Sequence, residues 1–297
     1  MKGLGTALIT PFKADGSVDF EALAKLLNTQ LTGFVDYIVV LGTTGEAATM
    51  SAEEKREVRQ FIVNYVHEHS AVSHQPAIPL VLGVGGNNTA AVCAELIAMR
   101  EELERDYEAI LSVCPYYNKP NQEGLFQHFC KVAEASPIPV ILYNVPGRTG
   151  VNLLPETVMR IYEAHPDKII GIKEASGNIE QIKHLIALSQ ESGVKNQDKL
   201  LVISGDDGIA CEVMEAGGAG LISVASNAFP EDFWHIVHDK NAALQTKYAE
   251  MVRLLFAEGN PVGIKAVLAQ KGIIQNYLRL PLVPASKELQ EKIQKLI

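Results

Sequence analysis

Residues 140–173 read VILYNVPGRTGVNLLPETVMRIYEAHPDKIIGIK. An apolar run at Val140–Tyr143 gives way to a glycine-bearing loop, Pro155 stands where a first helical turn begins, and a second apolar run, Ile169–Lys173, closes the stretch. This is a strand, a loop, a helix and the next parallel strand, a unit that takes about 30 residues. Runs of the same kind stand at Gly5–Thr10 (GTALIT), Tyr37–Leu41 (YIVVL), Leu80–Val84 (LVLGV), Ala109–Val113 (AILSV), Leu201–Ser204 (LVIS) and Leu221–Val224 (LISV). Most begin about 30 residues apart, so structure repeats here although sequence does not.

Helical patterns fill the intervals. Val58, Phe61, Ile62, Tyr65 and Val66 form a stripe at helical spacing after a capping box of Ser51 and Glu54. Leu125, Phe126, Phe129, Val132 and Ala133 repeat the stripe, and Pro230, like Pro155, marks a helix start. Apolar strands alternating with amphipathic helices mean a parallel sheet covered on its faces. Eight such units fit a closed α/β barrel, the (β/α)8 TIM barrel, better than an open doubly wound sheet, for which six would be usual. Beyond Val224 only helical patterns follow, at Phe233–Lys240, Leu244–Phe256, Pro261–Gln270 and Ser286–Ile297. The sequence thus divides into a barrel over residues 1–224 and C-terminal helices over 225–297, the last barrel helix plus a helical appendage.

The chain has 297 residues, a formal charge of −9 and 47% hydrophobic residues. That length buries a large core, and the composition excludes a disordered or collagen-like chain. An acidic balance without a Lys/Arg block argues against nucleic acid or an anionic membrane as partner, since mixed runs such as Glu53–Arg59 read as solvated helix faces. Cys93, Cys114, Cys130 and Cys211 form no C-x-x-C and sit in apolar stretches, which reads as buried reduced thiols and a cytoplasmic setting. Gly3–Ile9 is too short for a secretory h-region, and no run reaches the ~20 apolar residues of a membrane helix.

In a parallel barrel the active site lies at the carboxyl ends of the strands. The residues there are GTTGE (Gly42–Glu46), CPYYNKP (Cys114–Pro120), YNVPGRTG (Tyr143–Gly150), KEASGN (Lys173–Asn178) and SGDD (Ser204–Asp207). Alternation along a strand sets Ile169, Gly171 and Lys173 on one face, with Gly171 leaving space beneath the lysine. A lysine closing an apolar run is desolvated; desolvation disfavours the ammonium form and makes the amine a nucleophile near neutral pH. The plainer reading pairs Lys173 with Glu174 or Asp206. Tyr143, on the alternation of Ile141, should stand beside Lys173, as a proton shuttle or as a core aromatic with its hydroxyl at the rim. Thr43 and Thr44 offer hydroxyls and amides to a small carboxylate, or form only a turn. Arg148, between glycines, offers a bidentate fork to a second carboxylate, or is a surface arginine.

Other motifs carry less. GVGGNN (Gly83–Asn88) has Asn88 where a dinucleotide loop needs its third glycine, and reads as a glycine-rich barrel loop. AGGAG (Ala216–Gly220) precedes a strand and so lies on the stability face. His67 with His69, and His235 with His238, have spacings a metal could use, but no carboxylate or thiolate completes either set, so no metal is expected.

GTTGE, PYYN, YNVPGRTG and GIKEASGN, in that order at those strand ends, resemble the dihydrodipicolinate synthase branch of the N-acetylneuraminate lyase superfamily. The resemblance runs from GTALITPF (Gly5–Phe12) through NPVGIK (Asn260–Lys265) to LRLPLVP (Leu278–Pro284). It implies that Lys173 forms an imine with pyruvate, that Thr44 holds the pyruvate carboxylate, and that Thr43, Tyr143 and Tyr117 relay protons, Tyr117 crossing from a neighbouring subunit. Ile222 and Gly205 match positions that wall the pyruvate pocket. Arg148 matches the arginine that receives the carboxylate of L-aspartate 4-semialdehyde, and the G-R-T-G pattern separates this branch from sialic-acid lyases. The resemblance implies a homotetramer made of two tight dimers and no cofactor, because the lysine supplies the electron sink. Other pyruvate-dependent aldolases, acting on N-acetylneuraminate or a 2-keto-3-deoxy sugar acid, remain the alternative. A non-catalytic barrel that binds a small acid leaves the strand-end lysine beside a tyrosine unexplained. Lysine-sensitive members bind L-lysine at positions matched here by Ala52, Lys55, Asn87, Ala91 and Tyr116. Ala91 removes an acidic partner and Lys55 brings like charge to the ligand's ammonium group, so weak or absent feedback inhibition is expected.

Overall fold

The computed structural model describes residues 1–192 and 199–297. Eight strands follow in chain order: β1 (Gly3–Ala7), β2 (Tyr37–Val40), β3 (Leu80–Gly85), β4 (Ala109–Val113), β5 (Val140–Asn144), β6 (Ile169–Glu174), β7 (Leu201–Ser204) and β8 (Gly220–Ser223). They are ordered as a closed barrel, with helices between them and more helices beyond β8. This is the (β/α)8 barrel with C-terminal helices that the spacing of the apolar runs implies. Pro155 and Pro230 each start a helix, and Ser51 with Glu54 makes the expected capping box on a helix that runs on to Ser73.

Contacts group the chain into two compact units, Met1–Gly3 with Leu80–Ile222, and Leu4–Pro79 with Ser223–Ile297. In the first unit, β3 to β8 pair side by side in parallel. Their residues are apolar and fully buried on both faces, as at Ile141 and Ile203 on one and Ile110 and Ile172 on the other. The helices Thr89–Ala98, Gln122–Ala135, Pro155–Ala164 and Ile179–Glu191 pack neighbour against neighbour outside them. The first half of GVGGNN is strand rather than loop: Gly83 pairs with Leu111 and Gly85 with Val113, and Asn88 caps the helix that follows by accepting from the Ala91 N–H at 3.2 Å.

In the second unit, β1 pairs with β2, Gly5 opposite Tyr37. The run GTALIT continues past the strand because Asn227 takes over the backbone there. Its side-chain amide donates to the Ala7 carbonyl at 2.8 Å and its oxygen accepts from the Ile9 N–H at 3.1 Å. Buried Gln30 donates to the Ser226 and Asn227 carbonyls, so its side-chain amide finds partners inside the protein. Among the described residues, no helix is long and apolar enough to cross a membrane. The expectation of four buried thiols holds for Cys114 and Cys211 only, because Cys93 and Cys130 lie half-buried on two helices packed against each other.

AGGAG is a packing device, as its place before a strand suggests. The Gly3 N–H donates to the Ala219 carbonyl at 2.9 Å, and a Cβ on Gly220 would lie 2.1 Å from the Gly3 oxygen. Both contacts are backbone, so neither can yield by turning a side chain. Gly220→Ala should therefore cost at least about 2 kcal/mol, whereas Gly147→Ala, with nothing within 4 Å of the new methyl, should stay within about 0.5 kcal/mol. Urea denaturation of the two variants checks this; a wild-type midpoint for Gly220→Ala would contradict it.

Candidate active site

The first unit carries the lysine. β5 and β6 pair with a register shift, Val140 opposite Ile169 and Ile141 opposite Gly171, so Ile170 is skipped and the alternation begins afresh at Gly171. From there Tyr143 faces Lys173 and Asn144 faces Glu174. Lys173 is 5% exposed, and its Nζ lies 4.5 Å from the centre of the Tyr143 ring. The expected juxtaposition is present, with the amine over the aromatic face. The space credited to Gly171 is not beneath the lysine, because the atoms nearest a Cβ there belong to Leu201 on β7. Gly205 makes the room instead: a Cβ there would stand 2.9 Å from the Lys173 Cε and 3.1 Å from its Cγ.

Neither carboxylate weighed as a partner takes the lysine. Glu174 is fully buried and accepts from the Asn144 side-chain amide at 2.9 Å, the Gln181 amide at 3.1 Å and the Ser176 N–H at 2.8 Å. Asp206 accepts from the Gly208 N–H at 2.8 Å. Asn144, Asn152 and Gln181 were missed in the sequence, and Glu174 was weighed there only as a partner of the lysine. The signal for two of them was their place, each one residue beyond Tyr143 or Lys173. Buried Cys114 donates its backbone N–H to the Tyr143 carbonyl at 2.9 Å; burial, and then the Glu174 charge, pushes its thiol pKa up, which keeps it protonated and inert.

Tyr117 and Arg148 lie on adjoining loops, joined where the Tyr117 N–H donates to the Thr149 carbonyl at 3.3 Å. Tyr117 is 88% exposed with φ at +73°, a left-handed conformation that a tyrosine rarely adopts. Arg148 is exposed on the short helix Pro146–Thr149, whose terminal Thr149 hydroxyl bonds to the Val145 and Val151 carbonyls. Ile222 is fully buried on β8.

Thr43 and Thr44 belong to the second unit. They form a single turn of 3-10 helix after extended Gly42, Thr43 exposed and Thr44 buried. The Thr44 hydroxyl oxygen accepts from the Asn260 amide at 2.9 Å, which leaves its own proton available to donate. The turn ends at Glu46, held at φ +53°. Its buried carboxylate pairs with fully buried Lys265 and accepts from the Arg279 N–H at 3.2 Å. Lys265 also donates to the Tyr277 carbonyl at 3.0 Å and lies over the Phe12 ring at 4.2 Å. Burial pushes its pKa down to about 8, against the pull of Glu46. Arg279 bonds in turn to Glu54, whose carboxyl is held well below its usual range chiefly by that bond. In the sequence, NPVGIK and LRLP had no role assigned; the structure gives them one, as the clamp on the threonine turn.

Of the positions matched to an allosteric site, Asn87 and Tyr116 meet, the Asn87 amide donating to the Tyr116 carbonyl at 3.1 Å. Ala91 is exposed on the helix that Asn88 caps, and Ala52 and Lys55 lie in the first turn of Ala52–Ser73. The sequence reading left the histidine pairs without carboxylates; in fact His235 pairs with Asp239 at 2.6 Å and His238 with Asp36 at 2.7 Å. They are separate pairs, and among the described residues no group of three or more His, Cys, Asp or Glu is placed to hold a metal.

A closed α/β barrel with a buried lysine at a strand end, stacked on a tyrosine from the preceding strand, defines a protein equipped for imine chemistry on a small carbonyl acid. The chain belongs to the dihydrodipicolinate synthetase family, which it matches over residues 1–297. It is 45% identical to the 4-hydroxy-tetrahydrodipicolinate synthase of Parabacteroides distasonis, over 100% of this chain and 96% of that one. Among solved structures it is similar to the dihydrodipicolinate synthase of Acinetobacter baumannii complexed with pyruvate, at 37% identity and a TM-score of 0.89, covering 99% of this chain and 97% of that one. It is also similar to the enzyme of Cyanidioschyzon merolae with lysine bound, at 30% identity and a TM-score of 0.87, covering 99% and 96%.

If the Glu46–Lys265 pair holds the threonine turn, removing one partner strands the other in the interior. Lys265→Met should cost about 3–5 kcal/mol, and adding Glu46→Leu should recover most of that. Denaturant unfolding measures both; a single-variant cost under about 1 kcal/mol would contradict a structural pair.

Proposed function

We propose that the protein catalyses the condensation of pyruvate with L-aspartate 4-semialdehyde to 4-hydroxy-tetrahydrodipicolinate, the lyase reaction that leads to diaminopimelate and lysine. The observation that carries this reading is the buried Lys173 amine stacked on Tyr143 with both neighbouring carboxylates engaged elsewhere. The Lys173 amine attacks the C2 carbonyl of pyruvate; Tyr143, with Thr43 and Tyr117, passes protons as water leaves and the imine forms. Loss of a C3 proton turns the imine into an enamine, whose C3 bonds to the aldehyde carbon of the second substrate. That substrate's amino group then adds to C2 and displaces Lys173, closing the ring and freeing the amine. Lysine supplies the electron sink, so the reading calls on no metal, nucleotide or flavin.

Each remaining side chain has a role in this reading. Thr44 holds the pyruvate carboxylate through its hydroxyl and the adjacent amides, supported by the Asn260 bond that fixes its oxygen. Gly205 and Ile222 bound the pyruvate pocket, and Arg148 clamps the carboxylate of the semialdehyde. Residues 1–224 form the catalytic barrel and 225–297 the helices that complete it. Tyr117, exposed and held in a strained conformation, fits a side chain that reaches into a neighbouring subunit; with the family resemblance this reading takes the protein as a cytoplasmic homotetramer of two tight dimers. Aldolases acting on sugar-derived keto acids are not favoured: the relatives described above carry the synthase name, and GRTG supplies a clamp for a short second acid. With Ala91 and Lys55 where a lysine site needs acidic or neutral partners, feedback inhibition is weak or absent.

Incubating the purified protein with pyruvate and L-aspartate 4-semialdehyde should yield the cyclic product by mass spectrometry, with sugar-derived keto acids turned over far more slowly. Lys173→Ala should lose at least about 1,000-fold in kcat, and submillimolar L-lysine should leave the wild-type rate nearly unchanged. Full activity in Lys173→Ala would defeat the mechanism; strong inhibition by lysine would defeat the regulatory reading alone.

A further inference from the structure

Behind the lysine lies a buried carboxylate that forms no ion pair among the described residues. The Glu174 carboxylate is served by neutral donors only, the amides of Asn144 and Gln181 and the N–H of Ser176. Asn144 also donates to the Asn152 side-chain oxygen at 2.7 Å, and its own oxygen accepts from the Leu153 N–H at 3.0 Å. Asn152 and Gln181 exchange two bonds, at 2.8 and 3.1 Å.

The polarity of this network is fixed at both ends. The N–H groups of Leu153 and Ser176 can only donate. Asn144 must therefore turn its oxygen to Leu153 and its NH2 to Glu174, and Glu174 must accept on both oxygens. A glutamine at position 174 would set an NH2 against a donor, which is the cost that demands a carboxylate here.

The network also has an address. Asn144 directly follows Tyr143 and Glu174 directly follows Lys173, while Asn152 and Leu153 close the loop that carries Arg148. That loop leaves β5 at Val145 and is brought back to β5 by the Asn144–Leu153 bond. Gln122 secures the same return, donating to the Asn152 carbonyl at 2.8 Å and accepting from the Leu154 N–H at 3.2 Å. Arg148 therefore sits on a short arch whose two feet stand on β5, at the residues that follow Tyr143.

We propose that Asn144, Asn152, Glu174 and Gln181 are positioning residues that set Arg148 for the carboxylate of the second substrate, and that the outer pair, Asn152 and Gln181, governs this without governing pyruvate capture. The proposal rests on the functional reading above. Asn152→Ala removes three bonds at the arch and leaves Glu174 its three donors. In that variant the rate of borohydride trapping by pyruvate should stay within about twofold of wild type, while the KM for L-aspartate 4-semialdehyde rises roughly tenfold, since a misplacement of about an ångström suffices for such losses. Gln181→Met should shift the same constant in the same direction and carries the test if Asn152→Ala does not fold.

A double-mutant cycle with Arg148→Ala separates positioning from general damage. Once the arginine is gone, Asn152→Ala should add less than about twofold to the semialdehyde KM. Multiplicative losses, or parallel loss of pyruvate trapping and semialdehyde binding, would overturn the proposal. Failure of the unsubstituted protein to trap pyruvate would instead remove the functional reading beneath it, so the two failures are told apart.

Discussion

Lys173 stands with its nitrogen 4.5 Å from the centre of the Tyr143 ring, 5% exposed, while the carboxylates on either side of it in sequence and space are committed to other donors. A buried lysine held this way depends on everything around it. A carboxylate partner would tie up the amine and hold it away from a carbonyl carbon. The shift in register between β5 and β6 sets tyrosine opposite lysine, and Gly205 keeps the lysine's path clear. The residue that would most naturally neutralise Lys173, its neighbour Glu174, is instead bound to three neutral donors.

The two units treat buried charge in different ways. Around Lys173 the anion is satisfied by amides, an arrangement whose worth lies in direction rather than in Coulomb attraction. Around Thr44 a buried Lys265–Glu46 pair, with Arg279 and Glu54 outside it, holds a turn whose last residue lies in the left-handed region. Burying such a pair costs desolvation that its attraction roughly offsets, so its contribution is geometric. In both places charged or polar side chains fix loops that the apolar core cannot reach.

The barrel was legible because it is periodic. Eight apolar runs near 30 residues apart leave little choice of architecture, and Ala109–Val113 and Leu201–Ser204 begin and end where their composition says. The neighbourhood of Tyr143 and Lys173 was legible too, since alternation along two adjacent parallel strands determines which residues face each other. The space credited to Gly171 was misplaced, because what a glycine faces is set by the adjoining strand, here Leu201 on β7, and its own strand does not announce that. Asn152, Gln181, Lys265 and Arg279 were missed for another reason. Their partners lie between seven and 263 positions away in the chain, and a polar residue in a loop or helix looks the same whether it faces solvent or a buried carboxylate. The histidine pairs show the same limit, as Asp36 reaches His238 from the far end of the chain.

The central claim is that the Lys173 amine is the nucleophile. Treating the protein with pyruvate and borohydride, then digesting it and mapping the mass increment, tests that claim most directly. The account predicts one reduced pyruvate adduct per chain, on the peptide bearing Lys173, and none when borohydride is added without pyruvate. No adduct, or an adduct on any other lysine, would contradict it.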